Sequence, residues 1–264
     1  MKLPKRHTKP YRLGVALSGG GARGFAHVGA MRALNELGLK PDIIAGVSAG
    51  SVAAVYYAAG LLNSDSYENP LLQLFNASKF TDLAQLHIPK DSFLSLDRFK
   101  KQIAKIVPYK NIEDLPIKTV IGATDIDQGT RKAFESGPLA ERVVASCSIP
   151  IVFEPVTIDG HRYVDGGVLA NLPAWAIRHQ CETLIGINCS PSYQSAPAKN
   201  IIEIAQRSYS LMSKNNVVGD LELCDQVVSL TEIADHQAFD LKALSLVIES
   251  GYLETLRALR HFTL

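Results

Sequence analysis

The sequence lacks a charge excess of either sign, with 27 lysine and arginine residues against 26 aspartate and glutamate residues and a net charge of +1. Nucleic-acid-binding proteins usually carry a strong basic patch, and this balance indicates none. The sequence also lacks a C-x-x-C pair, which disfavours a zinc knuckle or a thioredoxin-like redox motif. Its four cysteines are widely spaced, as is typical of buried free thiols in a reducing compartment; they are Cys147, Cys181, Cys189 and Cys224.

Neither a signal peptide nor a membrane-spanning helix is indicated. The N-terminus, MKLPKRHTKPYR, is basic, but no long apolar core follows it. Residues 43–62 carry no charge, yet AGVSAG in their middle is typical of a turn between a short strand and a small-residue helix. We therefore expect a cytoplasmic protein. Residues 1–11 are expected to form a flexible basic tail, which is either simply solvated or helps the protein contact the inner face of a membrane.

Apolar runs rich in valine, isoleucine and leucine alternate with segments of helical period, which is the pattern of a sheet covered on both faces by helices. The sequence therefore predicts an α/β fold with a mostly parallel central sheet, in which residues 12–264 form a single domain. Turns at DQGT and at Asp159 and Gly160 indicate two antiparallel hairpins. The predicted parallel strands are RLGVALS, DIIAGV, KTVIGATDI, TLIGINC and QVVSL.

Two further segments have a recognisable composition. Residues 63–111 are the most irregular part of the chain and are predicted to be a lid or a specificity insertion. Residues 240–261 predict a long amphipathic helix that covers the sheet, because apolar residues recur there at helical spacing, at Leu244, Val247, Ile248 and Leu256.

A glycine turn, SGGGARG, stands where the first predicted strand passes into the first predicted helix. Gly19, Gly21 and Gly24 satisfy the pattern G-x-G-x-x-G, and a helix N-terminus at that place would attract phosphate. A dinucleotide site also needs an acidic residue at the far end of the second strand to hold the ribose. Asp42 opens that strand, and its far end holds GVSAG instead. The cofactor interpretation therefore fails at this point.

GVSAG has the form G-x-S-x-G, with Gly46, Ser48 and Gly50 between a strand and a helix. This arrangement is typical of a nucleophile elbow, a sharp turn that exposes the serine hydroxyl at the start of a helix. An ester carbonyl attacked by Ser48 would become an oxyanion that needs preorganised donors. The backbone amides of Gly20 and Gly21 can supply them, because no Cβ atom prevents close approach.

A serine nucleophile needs a base to accept its proton. Asp165 is a candidate because a turn, Gly166 and Gly167, follows it and could present its carboxylate. The histidines stay open as alternatives. His27 is expected to be a packing residue and His161 to be exposed at a hairpin tip, whereas His179 and His236 follow Asp165 in the order of an α/β-hydrolase triad.

Taken together, these motifs resemble one known family. GGGARG, GVSAG and DGG occur in the order and spacing of the patatin-like phospholipases, and SIPIVFEPV before YVDGGVLANLP resembles the stretch ahead of that family's catalytic aspartate. The likeness covers about residues 12–190 and is nearest to the bacterial branch related to neuropathy target esterase catalytic domains.

The resemblance implies a three-layer α/β/α patatin-like fold and a serine acyl hydrolase that acts on phospholipids or lysophospholipids. It implies a dyad of Ser48 as nucleophile and Asp165 as base, without a catalytic histidine, a metal or another cofactor. It assigns Gly19, Gly20 and Gly21 to the oxyanion loop, with Arg23 helping to fix that loop. The alternatives are a Ser-His-Asp esterase and a lipid-binding or regulatory protein that keeps the pocket without turnover.

Two positions depart from the family pattern. Ser148 stands where the family often has alanine, and Ile151 stands where it often has glycine. Both lie in the stretch expected to form a wall of the pocket, so they bear on substrate preference more than on the chemistry.

Overall fold

The structure is a computed structural model that describes residues 8–62, 96–190, 200–232 and 244–264. Its strands are β1 (Tyr11–Leu17), β2 (Ile43–Val47), β3 (Lys118–Asp125), β4 (Thr130–Phe134), β5 (Val156–Ile158), β6 (His161–Asp165), β7 (Cys181–Asn188) and β8 (Gln226–Ser229). The five predicted parallel strands are confirmed within a residue or two at their ends.

The helices that the structure describes begin with α1 (Ala26–Glu36) and α2 (Ala49–Ala58), each directly after a parallel strand and its turn. The others are α3 (Asp97–Ile106), α4 (Leu139–Cys147), α5 (Ala174–Ile177), α6 (Ile201–Asn215), α7 (Val218–Leu221) and α8 (Leu244–Leu259). Three short 3-10 turns, Gly21–Phe25, Ile112–Asp114 and Gly166–Val168, lie between these elements.

The strands form one mixed sheet in the order β5-β6-β3-β2-β1-β7-β8, with β4 paired to β3. Strands β3, β2, β1, β7 and β8 are parallel, and the two predicted hairpins supply the antiparallel strands. From β1 the chain proceeds to β2 and β3 on one side, whereas β7 lies on the other side of β1. The carboxyl ends of β1 and β7 therefore meet at a topological switch point, where α/β sheets commonly bind ligands.

The alternation of side chains along the strands divides the core into two layers. Odd-numbered residues of β1, such as Val15 and Leu17, belong to a large cluster with α1, α2, α3, α4 and α8. Ala16 points to the other face and belongs to a smaller cluster with α5 and the residues beside α7. The predicted α/β fold, with helices on both faces of a mostly parallel sheet, is therefore confirmed.

Helices α1 and α8 cross at very short range because glycine faces backbone on each side. A Cβ atom at Gly29 would overlap the carbonyl oxygen of Ile248, and one at Gly251 would overlap the carbonyl oxygen of Ala26. The predicted covering helix is confirmed over Leu244–Leu259, and residues 240–243 lie outside the described part. Gly38 ends α1 at a φ of 71°, as its position predicts.

The predicted N-terminal tail is described only from residue 8 onward. There the backbone amides of Thr8 and Lys9 donate to the Glu182 carboxylate at 2.7 Å, and the Lys9 ammonium donates to two carbonyl oxygens near the start of β7. Residues 8–11 are therefore held against the sheet. Of the predicted lid or specificity insertion, residues 63–95 lie outside the described part. No helix in the described ranges has the length and apolarity needed to span a bilayer.

Candidate active site

Ser48 lies at the sharp turn between β2 and α2. Its backbone has a φ of 52° and a ψ of −126°, which a residue with a side chain rarely adopts and which costs on the order of 1–3 kcal/mol. Two glycines make the turn possible: a Cβ atom at Gly50 would overlap the Leu17 carbonyl oxygen, and one at Gly46 would overlap that of Gly50. The Ser48 amide donates to the Ser146 hydroxyl at 2.8 Å, which fixes the turn against α4.

Asp165 lies at the end of β6, and sheet pairing brings it to the elbow. β2 pairs with β3 as far as Gly122, and β4 pairs with the opposite edge of β3. β6 pairs with β3 over Ala123–Asp125, so it occupies the edge that β2 leaves free. Since Ser48 follows the end of β2 directly, Asp165 and Ser48 meet at this junction.

The Asp165 carboxylate is fully buried and only partly satisfied. Its Oδ1 accepts a hydrogen bond of 2.8 Å from the Gly167 amide, within the Asp-Gly-Gly turn. Its Oδ2 receives no hydrogen bond of regular geometry from the described residues. The Ser48 and Tyr209 hydroxyls nevertheless lie close enough to act on the carboxylate as donors. Catalytic hydrogen bonds are often long or poorly aligned in a free enzyme and tighten when substrate binds.

Burial sets the ionisation of this carboxyl. Desolvation raises the pKa of Asp165 from 3.8 to about 6, although the Gly167 amide and the nearby hydroxyls of Ser48 and Tyr209 act in the opposite direction. The neighbouring thiol of Cys147 interacts with the hydroxyls of Ser48 and Ser51, and burial together with the Asp165 charge raises the pKa of that thiol. Cys147 therefore stays neutral at physiological pH, and Asp165 is mostly ionised.

The glycine turn after β1 lies directly beside Ser48. A Cβ atom at Gly19 would lie 3.1 Å from the Ser48 Cβ and would overlap the Asn171 amide oxygen. The Gly19 amide donates to the Asn171 carbonyl at 3.0 Å, and the Gly19 carbonyl accepts from the Ser190 hydroxyl at 2.5 Å. The amides of Gly20 and Gly21 donate no hydrogen bond to another described residue.

Side chains behind the glycine turn hold it in place. The His27 ring Nε2 lies 2.8 Å from the Ser18 carbonyl oxygen and 3.2 Å from the Cys189 sulfur. A Cβ atom at Gly20 would overlap that sulfur, so Gly20 and Cys189 are in direct contact. Arg23 lies close enough to Cys189 to act on the thiol electrostatically.

No described histidine hydrogen-bonds the Ser48 or Asp165 side chain. His27 is buried behind the glycine turn, and His161 pairs with Asp125 at 3.1 Å with its side chain 40% exposed. His179 is exposed and adjoins Gln180, whose carbonyl bonds the first residue of β1. Because β1 is seven residues long, His179 lies about 20 Å from the elbow. His236 lies outside the described part of the chain.

The two departures from the family pattern lie in the turn that follows α4. Ser148 is buried and its carbonyl accepts the Asp165 amide hydrogen bond at 2.9 Å, so its backbone supports the carboxylate. Ile151 has a φ of 75° and is 52% exposed. That φ is typical of glycine and costs a β-branched residue energy, which gives a physical reason for glycine at this position.

The strain at Ile151 gives a stability prediction. Ile151→Gly protein will be more stable than Ile151→Ala protein by about 1 kcal/mol, because only alanine keeps a Cβ atom in the left-handed conformation. Urea unfolding of both variants at one pH measures the difference. The alanine variant is the matched control, since both changes remove the exposed apolar side chain. Greater stability of the alanine variant would show that this turn is not strained.

Several residues of the site are missing from the sequence expectations. Tyr209, Ser213 and Asn216 line one side of α6 and its end at helical spacing, and this face contacts the Asp-Gly-Gly turn. Ser146 and Asn171 hold the elbow and the glycine turn. The polar spacing in α6 is the signal that could have indicated the first three.

Comparison with known proteins shows the family of the chain. A family model described as patatin-like phospholipase matches residues 15–177, which is more than half of the chain. An uncharacterized NTE family protein from Mycobacterium bovis is 35% identical over 168 residues, covering 61% of this chain and 44% of that protein. A lysophospholipase, NTE1, from Meyerozyma guilliermondii is 32% identical over 162 residues, covering 61% of this chain and 11% of that protein.

Among solved structures, VipD from Legionella pneumophila matches with a TM-score of 0.50 at 15% identity, covering 95% of this chain and 67% of that one. This likeness concerns the fold alone. The chain spans less than half the length of the two curated relatives.

The sheet with its elbow at the end of β2, and the matching family model, define an α/β protein of the patatin class. The chain belongs to the patatin-like phospholipase family, so the resemblance in the motifs is confirmed.

Proposed function

We propose that this chain is a serine acyl hydrolase that cleaves fatty acyl esters of phospholipids or lysophospholipids through a Ser48–Asp165 dyad. The observation that carries the proposal is a serine at positive φ beside a buried, mostly ionised carboxylate. Among the described residues, no histidine hydrogen-bonds either side chain. The activity named for the Meyerozyma guilliermondii relative, lysophospholipase, supports an ester of this class.

In the proposed mechanism, Asp165 accepts the proton of the Ser48 hydroxyl as the serine oxygen attacks the ester carbonyl. The tetrahedral intermediate collapses to an acyl-enzyme when Asp165 returns the proton to the leaving alcohol. Asp165 then takes a proton from water as the water oxygen attacks the acyl carbon, and the second tetrahedral intermediate releases the fatty acid when Asp165 returns that proton to the Ser48 oxygen. An ordinary carboxylate is a weak base at neutral pH. Burial raises the pKa of the Asp165 carboxyl and so makes it a stronger base, which supports this role.

The glycine turn supplies the oxyanion donors in this proposal. The amides of Gly20 and Gly21 have no partner among the described residues, and Gly19 packs on the Ser48 side chain. Preorganised backbone donors of this kind stabilise the developing negative charge without further reorganisation. Cys189 behind Gly20, with Arg23 near the thiol, would hold the turn at the required distance.

A lipid substrate would bring the protein to a membrane surface, and we propose peripheral contact of that kind. The test is release of fatty acid from lysophosphatidylcholine, offered in micelles and in vesicles, by the wild-type and Ser48→Ala proteins. Release by the wild type alone supports the proposal. Binding of vesicles without release by either protein would instead indicate a lipid-binding protein.

The histidine alternative is tested by substitution. His179→Ala and His236→Ala proteins are expected to keep wild-type kcat/KM toward a soluble ester. The dyad assignment would be wrong if either change lowered kcat/KM as far as Ser48→Ala does.

The raised pKa of Asp165 gives a pH dependence. The carboxyl can accept a proton only when ionised, so kcat/KM will fall as the pH decreases through about 6. The profile is measured with an uncharged ester between about pH 4.5 and 9, on the wild type and on both histidine variants, because histidine titrates in the same range. An acidic limb near pH 4 would mean that burial does not raise the pKa of Asp165. Loss of the limb in a histidine variant would assign the limb to that histidine.

A further inference from the structure

Helix α6 contacts the turn that carries the catalytic aspartate. The Ser213 hydroxyl donates to the Gly167 carbonyl at 2.9 Å, and the Asn216 amide nitrogen donates to the same oxygen at 2.8 Å. Asn216 also accepts the Asn171 backbone amide hydrogen at 2.9 Å. These bonds fix the helix relative to the Asp-Gly-Gly turn at two points one turn apart.

Tyr209 lies one turn before Ser213 on the same helix face, and its half-buried side chain extends into the site. A Cβ atom at Gly167 would overlap the Tyr209 hydroxyl, so the absence of a side chain at Gly167 creates the space that this hydroxyl occupies. The Gly167 amide is the group that bonds Asp165 Oδ1. The hydroxyl therefore lies beside the carboxylate, whose Oδ2 is buried and lacks a regular hydrogen bond.

From this placement we infer that Tyr209 is a positioning residue for Asp165, whose hydroxyl donates to the carboxylate and holds it toward Ser48. The inference rests on the proposed function, because it assigns a partner to the proposed base. Tyr209 is neutral throughout the working range, since burial and the Asp165 charge both raise the pKa of its hydroxyl. It can therefore act only as a hydrogen-bond donor to the ionised carboxylate.

The donor also favours the ionised form of Asp165. A hydrogen bond to the charged form of a carboxyl lowers its pKa, and Tyr209 acts on Asp165 in this direction, with Ser48 and the Gly167 amide. The titratable groups that face Asp165 among the described residues are the Cys147 thiol from α4 and the Tyr209 hydroxyl from α6. Both stay neutral, so loss of the Tyr209 donor changes the carboxyl without a compensating charge.

The test is the pH profile of Tyr209→Phe protein, which keeps the ring and removes the hydroxyl. The acidic limb of kcat/KM is expected to move to higher pH by about one unit, the size of a single hydrogen bond to a charged group. The loss of activity relative to the wild type will therefore be greater near pH 5.5 than near pH 8.5. The pH dependence of Ser48 labelling by a fluorophosphonate gives the same limb without a lipid substrate.

Tyr252→Phe is the matched control, because it removes a tyrosine hydroxyl that donates to the Glu36 carboxylate at 2.6 Å outside the site. It is expected to leave the limb unchanged. Asn216→Ala removes an anchor of α6 and not the donor, so a purely structural role of this helix face predicts an equal shift in that variant.

The two claims fail in different ways. An unshifted limb in active, folded Tyr209→Phe protein would overturn the role of Tyr209 and leave the dyad intact. A shift of equal size in Asn216→Ala protein would also overturn it. Wild-type protein that neither reacts with the fluorophosphonate nor hydrolyses esters would overturn the proposed function itself.

Discussion

Asp165→Asn protein will hydrolyse a soluble acyl ester with a kcat/KM lower than the wild type by about a thousandfold or more, the scale of losing a general base. Asparagine has nearly the shape of aspartate and can keep the hydrogen bond from the Gly167 amide. It cannot accept the proton of Ser48. The loss is measured under steady-state conditions at pH 8, where the wild-type carboxyl is ionised.

Stability provides the control for this variant. A carboxyl whose pKa rises from 3.8 to about 6 on folding favours the folded state at low pH, and this contribution is lost as the pH rises through about 6. At pH 8 the buried charge destabilises the wild type, and asparagine removes it. The variant is therefore expected to unfold at the same temperature as the wild type or higher. Retention of more than a tenth of the wild-type activity would contradict the role of Asp165.

Gly20→Ala protein will lose about a hundredfold to a thousandfold in kcat, as expected when oxyanion donors are displaced. The φ of Gly20 is 178°, which lies outside the left-handed region that favours glycine. The new methyl group would overlap the Cys189 sulfur and move the turn away from Ser48. Turnover of a soluble ester at saturating concentration measures the effect.

A second substitution separates displacement from other causes. Cys189→Ala removes the sulfur, and the nearest remaining atom is the Cys189 carbonyl oxygen, 3.1 Å from the added methyl group. In the Cys189→Ala background, Gly20→Ala is expected to lower kcat by a factor at least ten times smaller than it does in the wild type. The kcat of the double variant is compared with that of Cys189→Ala alone for this purpose. Failure to recover, in folded protein, would mean that the contact with Cys189 does not position the turn.

The sequence predicted the sheet well because its signals are local. Valine-rich and isoleucine-rich runs specify buried parallel strands, and the glycine-containing turns after β1 and β2 define where α1 and α2 begin. The sharp turn at Ser48 is also specified locally, since Gly46 and Gly50 are needed for contacts within a few residues or with the adjacent strand. Such requirements are visible in one short stretch.

The position of Asp165 beside Ser48 depends instead on long-range pairing. β6 reaches the elbow because it pairs with the same edge of β3 as β2 does, from the residue after Gly122, where the pairing of β2 ends. No local sequence pattern encodes that register. The residues alone left Asp165 and several histidines as open alternatives, and only the resemblance to a family favoured the aspartate. In the structure, His27 lies against the Ser18 carbonyl oxygen, His161 pairs with Asp125, and His179 is exposed.

Tyr209 illustrates the part that sequence could not supply. Its distance along the chain from Asp165 is large, and its hydroxyl lies against Gly167 only because Gly167 has no side chain and α6 is anchored on the same turn. A polar stripe on an otherwise amphipathic helix is usually a solvated face. Tertiary placement gives this stripe its contact with the Asp-Gly-Gly turn.

Time-dependent labelling by a fluorophosphonate probe, with the modified residue located by mass spectrometry, tests directly whether Ser48 is a nucleophile activated by Asp165. Wild-type protein should be labelled at Ser48, Ser48→Ala protein should not be labelled, and Asp165→Asn protein should react at least a hundredfold more slowly. Folded wild-type protein that stays unlabelled with detergent present, or that is labelled at another residue, would contradict the dyad.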